Sequence, residues 1–301
     1  MHFTPACLDS GVSKAEPEAW GGAPGYHEAR VNGPDDAQRE GTGRGMSTCG
    51  GGDWFWRGWL NLVQAGPSLF QGRRVVKTLP GLQGAIGPNN GIVDVHGTGG
   101  EPCRLLVIGE STVAGTGAPT HALALTGQLA VGLSDRRRLP VAWEAQGANG
   151  ATLERIGNEL LELVRQPDPD VVVLVAGAND VMAGRSPAHW RRDLRRILEV
   201  FVDSGRHREI VVAGVPPFRY FPALPVPLNA FLERRAGRLD AASAQVCAEL
   251  GVAFVSFADD PPLGEAFFAS DRFHPSVAGY GHWAAFLLDA LNEPRPENTL
   301  P

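Results

Sequence analysis

The chain has 301 residues, of which 43% are apolar and 20% are charged, enough for one substantial globular core. Its net charge is −6 and its pI is near 5.8, so the extended basic surface that binds nucleic acid is not expected. It contains neither a run of 18 apolar residues nor a basic-then-apolar leader, which predicts a cytoplasmic protein without a signal peptide or transmembrane span.

The first hundred residues differ from the rest of the chain. Residues 1–52 are rich in glycine, proline and acidic residues without sustained periodicity, which is typical of a disordered tail. Residues 53–101 comprise an aromatic segment and a lead-in rich in glycine and proline, which we expect to be extended. In the aromatic segment, Trp54, Trp56 and Trp59 precede a basic stretch. They either pack onto the folded domain or make peripheral contact with a membrane surface.

Residues 102–293 are predicted to form the folded domain, with a tail at 294–301. Apolar runs predict strands at 103–108, 141–145, 171–176, 210–215 and 252–257. Between them, amphipathic segments predict helices that begin at caps, with a long helix over 228–250 that ends at Gly251. The caps we expect are Thr120, Thr152 and Ser186, and the last helix is expected over 276–291. This alternation indicates an α/β fold with three α/β/α layers and a doubly wound parallel sheet of about five strands.

In such a sheet, ligands bind beyond the carboxyl ends of the strands. Ser111 follows the first predicted strand, Gly150 follows the second and Asn179 follows the third. The loop before the last helix supplies Asp271 and, three residues later, His274. Because a serine nucleophile needs an adjacent base, and that base needs a group to orient it, the pattern indicates acyl transfer through these side chains.

Each of these residues also has an ordinary structural interpretation. Ser111 is suited to cap a helix, Gly150 and Asn179 are suited to turns, and His274 is suited to a loop. The glycine-rich stretch after the first strand lacks the Gly-Lys-Ser/Thr ending of a phosphate loop and the Gly-x-Gly-x-x-Gly fingerprint, which disfavours nucleotide binding. The remaining histidines lack metal-ligand spacing, so neither a metal nor another cofactor is predicted.

Taken together and in order, the serine, glycine, Gly-x-Asn-Asp and Asp-x-x-His blocks resemble the GDSL-type, or SGNH, hydrolase family. The resemblance covers residues 104–291. It implies that Ser111 is the nucleophile, His274 its base and Asp271 the orienting acid. It further implies an oxyanion hole built from the backbone N–H groups of Ser111 and Gly150 and the side chain of Asn179. Two neighbouring acids, Glu110 and Asp180, are left outside this set: the first stands where the family typically has aspartate, and the second follows Asn179.

The resemblance implies an enzyme that hydrolyses a small-molecule ester without a cofactor. Residues 215–227, after the fourth strand, are apolar and proline-rich, and they either line a substrate pocket or only cover the core. The side chains expected in that pocket are Phe218, Tyr220, Phe221 and Leu224. Short- to medium-chain acyl esters are expected because no large lid domain is evident. The alternatives are an O-acyltransferase or deacetylase acting on a sugar or alcohol, and a non-catalytic binding or membrane-associated module.

Overall fold

The computed structural model describes residues 82–166, 168–202, 208–257 and 265–291. The predicted tails, together with Trp54, Trp56 and Trp59, lie outside these ranges. Among the helices described, none has the length and apolar character needed to cross a membrane.

The described part of the chain forms a six-stranded sheet in the order β1-β3-β2-β4-β5-β6. All neighbouring pairs from β2 to β6 are parallel, whereas β1 pairs with β3 in the antiparallel sense. Since β2 lies between β3 and β4, the carboxyl ends of these three strands adjoin. The strands are β1 (Asn90–Val93), β2 (Cys103–Gly109), β3 (Val141–Gly147), β4 (Val171–Val175), β5 (Glu209–Ala213) and β6 (Ala253–Val255).

The sheet corrects the sequence prediction at one edge. The five parallel strands are present, but β1 lies in the segment interpreted as an extended lead-in. The sheet is therefore mixed, and it includes residues that precede the predicted domain start at residue 102. Next to β1, Asn89 continues the pairing through its side-chain amide and its carbonyl, both of which bond the backbone of Ala145. The strand escaped prediction because its four residues are too few to show an alternating hydrophobic pattern.

Six α-helices accompany the sheet in the described ranges. The second continues as a π-helical turn (Ile156–Leu160) and a 3-10 turn (Leu161–Leu163). Further 3-10 turns cover His121–Leu123, Phe218–Tyr220 and Glu265–Phe267. The helices are α1 (Leu125–Arg137), α2 (Leu153–Arg155), α3 (Ala178–Ala183), α4 (Pro187–Val202), α5 (Leu228–Leu250) and α6 (Val277–Ala290).

One of the three predicted helix caps, Ser186, is present as a side-chain hydrogen bond, and Ser276 supplies a further cap at the start of α6. The hydroxyl of Ser276 accepts the backbone N–H of Gly279 at 3.1 Å, and that of Ser186 accepts the N–H of His189 at 3.3 Å. The threonine predictions hold only in part. Thr152 occupies the N-cap position of α2, whereas Thr120 precedes a 3-10 turn rather than α1, and neither hydroxyl makes a cap hydrogen bond.

Successive side chains on each central strand point to opposite faces of the sheet, and each face is covered by helices. On β2, Leu106 and Ile108 pack in a cluster with α2, α4 and α5, whereas Leu105 and Val107 pack in a second cluster with α1 and α6. All residues of β4 are buried. Burial of each such side chain contributes about 1.5–3 kcal/mol, so the two clusters hold the layers together. This confirms the three-layer α/β/α fold and leaves the carboxyl edge free for loops.

Candidate active site

Three side chains from the two ends of the folded domain form a hydrogen-bonded row. The hydroxyl Oγ of Ser111 lies 3.1 Å from Nε2 of His274, and Nδ1 of the same ring lies 2.6 Å from Oδ2 of Asp271. The Asp271 side chain is 1% exposed and that of His274 is 19% exposed. The buried carboxylate therefore faces the inner ring nitrogen, and the serine faces the outer one.

The turn that carries Asp271 fixes its carboxylate from the other side. Oδ1 of Asp271 accepts the backbone N–H groups of Phe273 and His274, both at 3.0 Å. Arg272 adopts a left-handed conformation with φ of +58°, which brings these N–H groups round to the carboxylate. One carboxylate oxygen thus holds the turn while the other orients the imidazole.

Ser111 begins the turn that follows β2. The carbonyl of Glu110 accepts the backbone N–H groups of Val113 and Ala114 at 3.0 Å each. The turn rests against the end of β3 at Gly147, where an added Cβ would lie 2.2 Å from the backbone nitrogen of Ala114. Glycine at 147 is therefore required for the serine turn to approach the neighbouring strand.

The loop after β3 contains Gly150, and its backbone explains why glycine stands there. Its φ of +71° lies in the left-handed region, and an added Cβ would meet nothing within 4 Å. Thr116 in the serine turn donates its hydroxyl to Oδ1 of Asn149 at 2.7 Å, which ties the two loops together. No described residue accepts a hydrogen bond from the backbone N–H of Ser111 or Gly150, so both groups are free to donate to a ligand.

Asn179 and Asp180 lie in the first turn of α3. Nδ2 of Asn179 donates to the carbonyl of Ala151 at 3.1 Å, and Oδ2 of Asp180 accepts the backbone N–H of Leu153 at 2.9 Å. These two bonds tie α3 to the loop that contains Gly150. Burial raises the pKa of Asp180 to about 6 despite the hydrogen bond from Leu153.

Glu110, which the family resemblance left without a role, stands between the serine turn and the start of α3. Its carboxylate is buried and accepts three hydrogen bonds: from the N–H of Ala178 at 3.2 Å, the N–H of Asn179 at 3.2 Å and Nδ2 of Asn179 at 2.7 Å. Burial raises the pKa of Glu110 to about 7, with a smaller contribution from the nearby Asp180, while the hydrogen bonds act in the opposite direction.

A family model for the GDSL-like lipase/acylhydrolase family matches residues 107–282, more than half of the chain. The chain belongs to this family. The match contains the serine turn, the glycine loop and the start of α3, and it runs through His274 into α6. The predicted family resemblance is thereby confirmed.

The chain is also similar to one named esterase and to solved structures. A GDSL-like esterase from Mycobacterium tuberculosis is 29% identical over 205 residues, which is 63% of this chain and 62% of the relative's length. The crystal structure of TesA superposes with a TM-score of 0.51 at 20% identity, covering 63% of this chain and 98% of that one. A lipase/acylhydrolase from Enterococcus faecalis gives a TM-score of 0.48 at 17% identity, covering 64% and 98% respectively. The likeness to TesA supports the fold.

An apolar pocket opens beside Ser111 in this GDSL-like chain. Ser111 and His274 stand among its lining residues, together with Glu110. The empty space between the lining atoms measures about 520 Å³ up to the open mouth. The centre of a water molecule can be placed in only about 30 Å³ of that space. The pocket is therefore narrow. The apolar part of its wall comprises Ala178, Pro216, Pro217, Phe221, Phe257, Phe267, Phe273, Pro275 and Trp283.

The predicted pocket residues are mostly displaced from this wall. Phe221 lines the pocket, but Phe218 is fully buried behind it, with the two rings stacked at a centroid distance of 5.4 Å. Leu224 is buried in the core cluster, and Tyr220 is 45% exposed. A 3-10 turn has about three residues per turn, so Phe218, Phe221 and Leu224 face inward while Tyr220 faces outward, and a contiguous apolar run did not identify the lining side chains.

Other lining residues have a signal in the sequence. Phe273 and Pro275 flank His274, so their position beside the predicted site would have identified them, and Pro216 and Pro217 lie in the segment 215–227 that was expected at the pocket. Trp283 had no such signal. It lies on α6, and only the packing of that helix against the sheet brings its ring to the pocket.

Proposed function

We propose that this protein is a serine esterase that hydrolyses short- to medium-chain carboxylic esters through an acyl-Ser111 intermediate. The observation that carries the proposal is the hydrogen-bonded row from Ser111 through His274 to Asp271. Membership of the GDSL-like lipase/acylhydrolase family supports ester hydrolysis, as does the name of the esterase from Mycobacterium tuberculosis.

The acylation step uses all three side chains. Oγ of Ser111 attacks the ester carbonyl carbon while its proton passes to Nε2 of His274. Asp271 holds the other ring nitrogen as a donor and stabilises the imidazolium that forms. The tetrahedral intermediate then collapses: the bond to the alkoxy oxygen breaks, and His274 gives its proton to the departing alcohol.

Deacylation repeats the sequence with water. His274 takes a proton from a water molecule, whose oxygen attacks the acyl carbon attached to Ser111. When this second intermediate collapses, the bond to Oγ breaks, and the proton returns from His274 to Ser111. The products are a carboxylic acid and the free enzyme, so no further reactant is needed.

The negative charge that develops on the carbonyl oxygen requires hydrogen-bond donors. The free backbone N–H groups of Ser111 and Gly150 fit this role, and the side-chain amide of Asn179 is proposed as the third donor. Loss of one such donor costs about 2.7–4 kcal/mol of transition-state stabilisation.

The proposed acyl length follows from the pocket beside Ser111. Its wall is almost wholly apolar, which suits a hydrocarbon acyl group rather than a charged one. Because the centre of a water molecule fits in only about 30 Å³ of this pocket, the pocket suits an acyl group of a few carbon atoms better than a long chain. Acetyl and butyryl esters are therefore proposed as better substrates than palmitoyl esters.

The test compares hydrolysis of p-nitrophenyl acetate, butyrate and palmitate by the wild type, Ser111→Ala and Ser134→Ala. Ser134 is a buried serine that bonds Leu139 at the far end of α1, so its substitution controls for general destabilisation. We expect turnover of the short esters, little palmitate hydrolysis, and a loss of about a thousandfold or more for Ser111→Ala alone. Unchanged activity in Ser111→Ala, or preference for palmitate, would contradict the proposal.

A further inference from the structure

We propose that Glu110 is a positioning residue, which holds the side-chain amide of Asn179 in the orientation required for the oxyanion hole. This inference rests on the proposed function, because it assigns a task to a side chain that neither attacks the substrate nor moves a proton. It goes beyond the triad and the three oxyanion donors by naming the group that sets one donor in place.

The contacts of Glu110 all converge on the start of α3. Oε1 accepts the N–H of Ala178, while Oε2 accepts both the N–H and the side-chain Nδ2 of Asn179. The backbone of the turn and the amide attached to it are therefore held by one carboxylate. At 2.7 Å, the bond to Nδ2 is the shortest of the three and has the length of a charge-assisted hydrogen bond.

The amide of Asn179 has two hydrogens, and both are occupied in this structure. One is directed to Glu110, and the other is directed to the neutral carbonyl of Ala151 at the longer distance of 3.1 Å. Asn179 can serve an oxyanion only by releasing one of these acceptors. The bond to Ala151 is the weaker one, so we infer that it is exchanged for the oxyanion while the bond to Glu110 persists and orients the amide.

The length of the Glu110 side chain matters to this arrangement. An aspartate at 110 would withdraw the carboxylate by roughly one carbon–carbon bond, about 1.5 Å. A glutamine would keep the length but place an NH₂ group against at least one N–H donor, because the donors contact both oxygens. Glu110→Asp therefore tests the length of the side chain, and Glu110→Gln tests the capacity of its end group to accept hydrogen bonds.

The chain provides a matched control in Glu144 on β3. Glu144 is also buried and also accepts two backbone N–H groups and one side-chain amide, from Arg165, Gln166 and Gln146. None of these partners belongs to the proposed site. Glu144→Gln thus makes the same chemical change in the same kind of environment, so it reports the cost of disturbing a buried carboxylate alone.

The experiment measures kcat and KM for p-nitrophenyl butyrate, together with the inhibition constant of butaneboronic acid. This compound forms a tetrahedral adduct with an active-site serine and imitates the transition state. We expect Glu110→Gln to lower kcat about 10- to 100-fold while KM changes less than about threefold. The inhibition constant of butaneboronic acid should rise by about the same factor as kcat falls. Glu110→Asp should recover part of the lost kcat. Glu144→Gln should lower Tm but leave kcat and the inhibition constant within about twofold of the wild-type values.

Two outcomes would overturn the inference. Wild-type kcat in Glu110→Gln would show that the amide does not depend on Glu110, and a matching loss in Glu144→Gln would show that the effect is only structural. Ser111→Ala, measured in parallel, separates this failure from that of the proposed function. If it loses activity while Glu110→Gln does not, only the inference fails; if it retains activity, both fail.

Discussion

Oδ2 of Asp271 lies 2.6 Å from Nδ1 of His274, while Oδ1 of the same carboxylate accepts the backbone N–H groups of Phe273 and His274. The two oxygens therefore have different tasks: one fixes the turn, and the other selects the ring tautomer. With its proton on Nδ1, the imidazole leaves Nε2 available to accept the proton of Ser111.

The first prediction concerns this division of tasks. In Asp271→Asn, the amide oxygen is expected to keep the backbone bonds, so its NH₂ group faces Nδ1 of His274. That contact favours the tautomer protonated on Nε2, which cannot act as a base toward Ser111. Steady-state hydrolysis of p-nitrophenyl acetate should show kcat lower by about 10³–10⁴, with Tm changed by only a few degrees. An active Asp271→Asn enzyme would show that tautomer selection by Asp271 is not required.

Those parts of the fold that depend on local signals could be predicted from the sequence. The long helix α5 occupies the expected range and ends at Gly251, whose φ of +65° is the conformation that glycine supplies at a helix end. The serine, glycine and histidine motifs lie in the loops where the sequence predicts them, because each is close to the end or the beginning of a strongly patterned element.

Features that depend on distant partners could not be predicted in this way. Glu110 and Asn179 are 69 positions apart, and nothing near either residue shows that their side chains meet. In the same way, β1 is stabilised by Trp143 and its neighbours on β3 rather than by its own pattern. The pocket combines side chains from several separate segments, so its lining emerges only when the layers pack.

The second prediction tests the backbone at Gly150 against a matched glycine. Gly150 and Gly251 have φ of +71° and +65°, and an added Cβ would meet nothing within 4 Å at either position. Alanine at each should therefore reduce the free energy of unfolding by about 1 kcal/mol through backbone strain alone. Only Gly150→Ala should also lower kcat/KM, by about 10- to 100-fold, because strain relief shifts a proposed oxyanion donor. Denaturant unfolding and ester kinetics on both variants check this, and equal kinetics would exclude a role for the Gly150 N–H.

The third prediction concerns the effect of pH on stability through Glu110. Its pKa is about 7 in the folded protein, against 4.5 for an ordinary glutamate, so the folded state keeps a proton that the unfolded state releases between these values. The stability that this group contributes is therefore fully present below pH 4.5. As pH rises from 4.5 through 7, about 3 kcal/mol of it is lost.

Glu110→Gln removes this ionisation, so the difference in the free energy of unfolding between variant and wild type should shift in favour of the variant across pH 4.5–7. Urea unfolding at half-unit pH steps measures the difference, with Glu144→Gln as the comparison. A difference that stays constant with pH would show that Glu110 does not titrate in this window.

The last prediction separates the pocket wall from the core behind it. Phe221 lines the pocket and Phe218 does not, yet the two rings are stacked and both are buried, so Phe→Leu removes the same volume at neighbouring positions. Each substitution should cost about 1–3 kcal/mol of stability through lost packing. Only Phe221→Leu enlarges the space beside Ser111, so only this variant should gain on longer acyl chains.

The measurement is kcat/KM for p-nitrophenyl acetate, butyrate, hexanoate and octanoate, expressed for each enzyme relative to acetate. In Phe221→Leu the relative value for hexanoate should rise several-fold, because a leucine leaves room for additional methylene groups, each worth about 0.8 kcal/mol when buried. In Phe218→Leu the chain-length profile should match that of the wild type even though Tm falls. If both variants shift the profile alike, the selectivity depends on the flexibility of the whole aromatic cluster; if neither does, the acyl group binds outside this pocket.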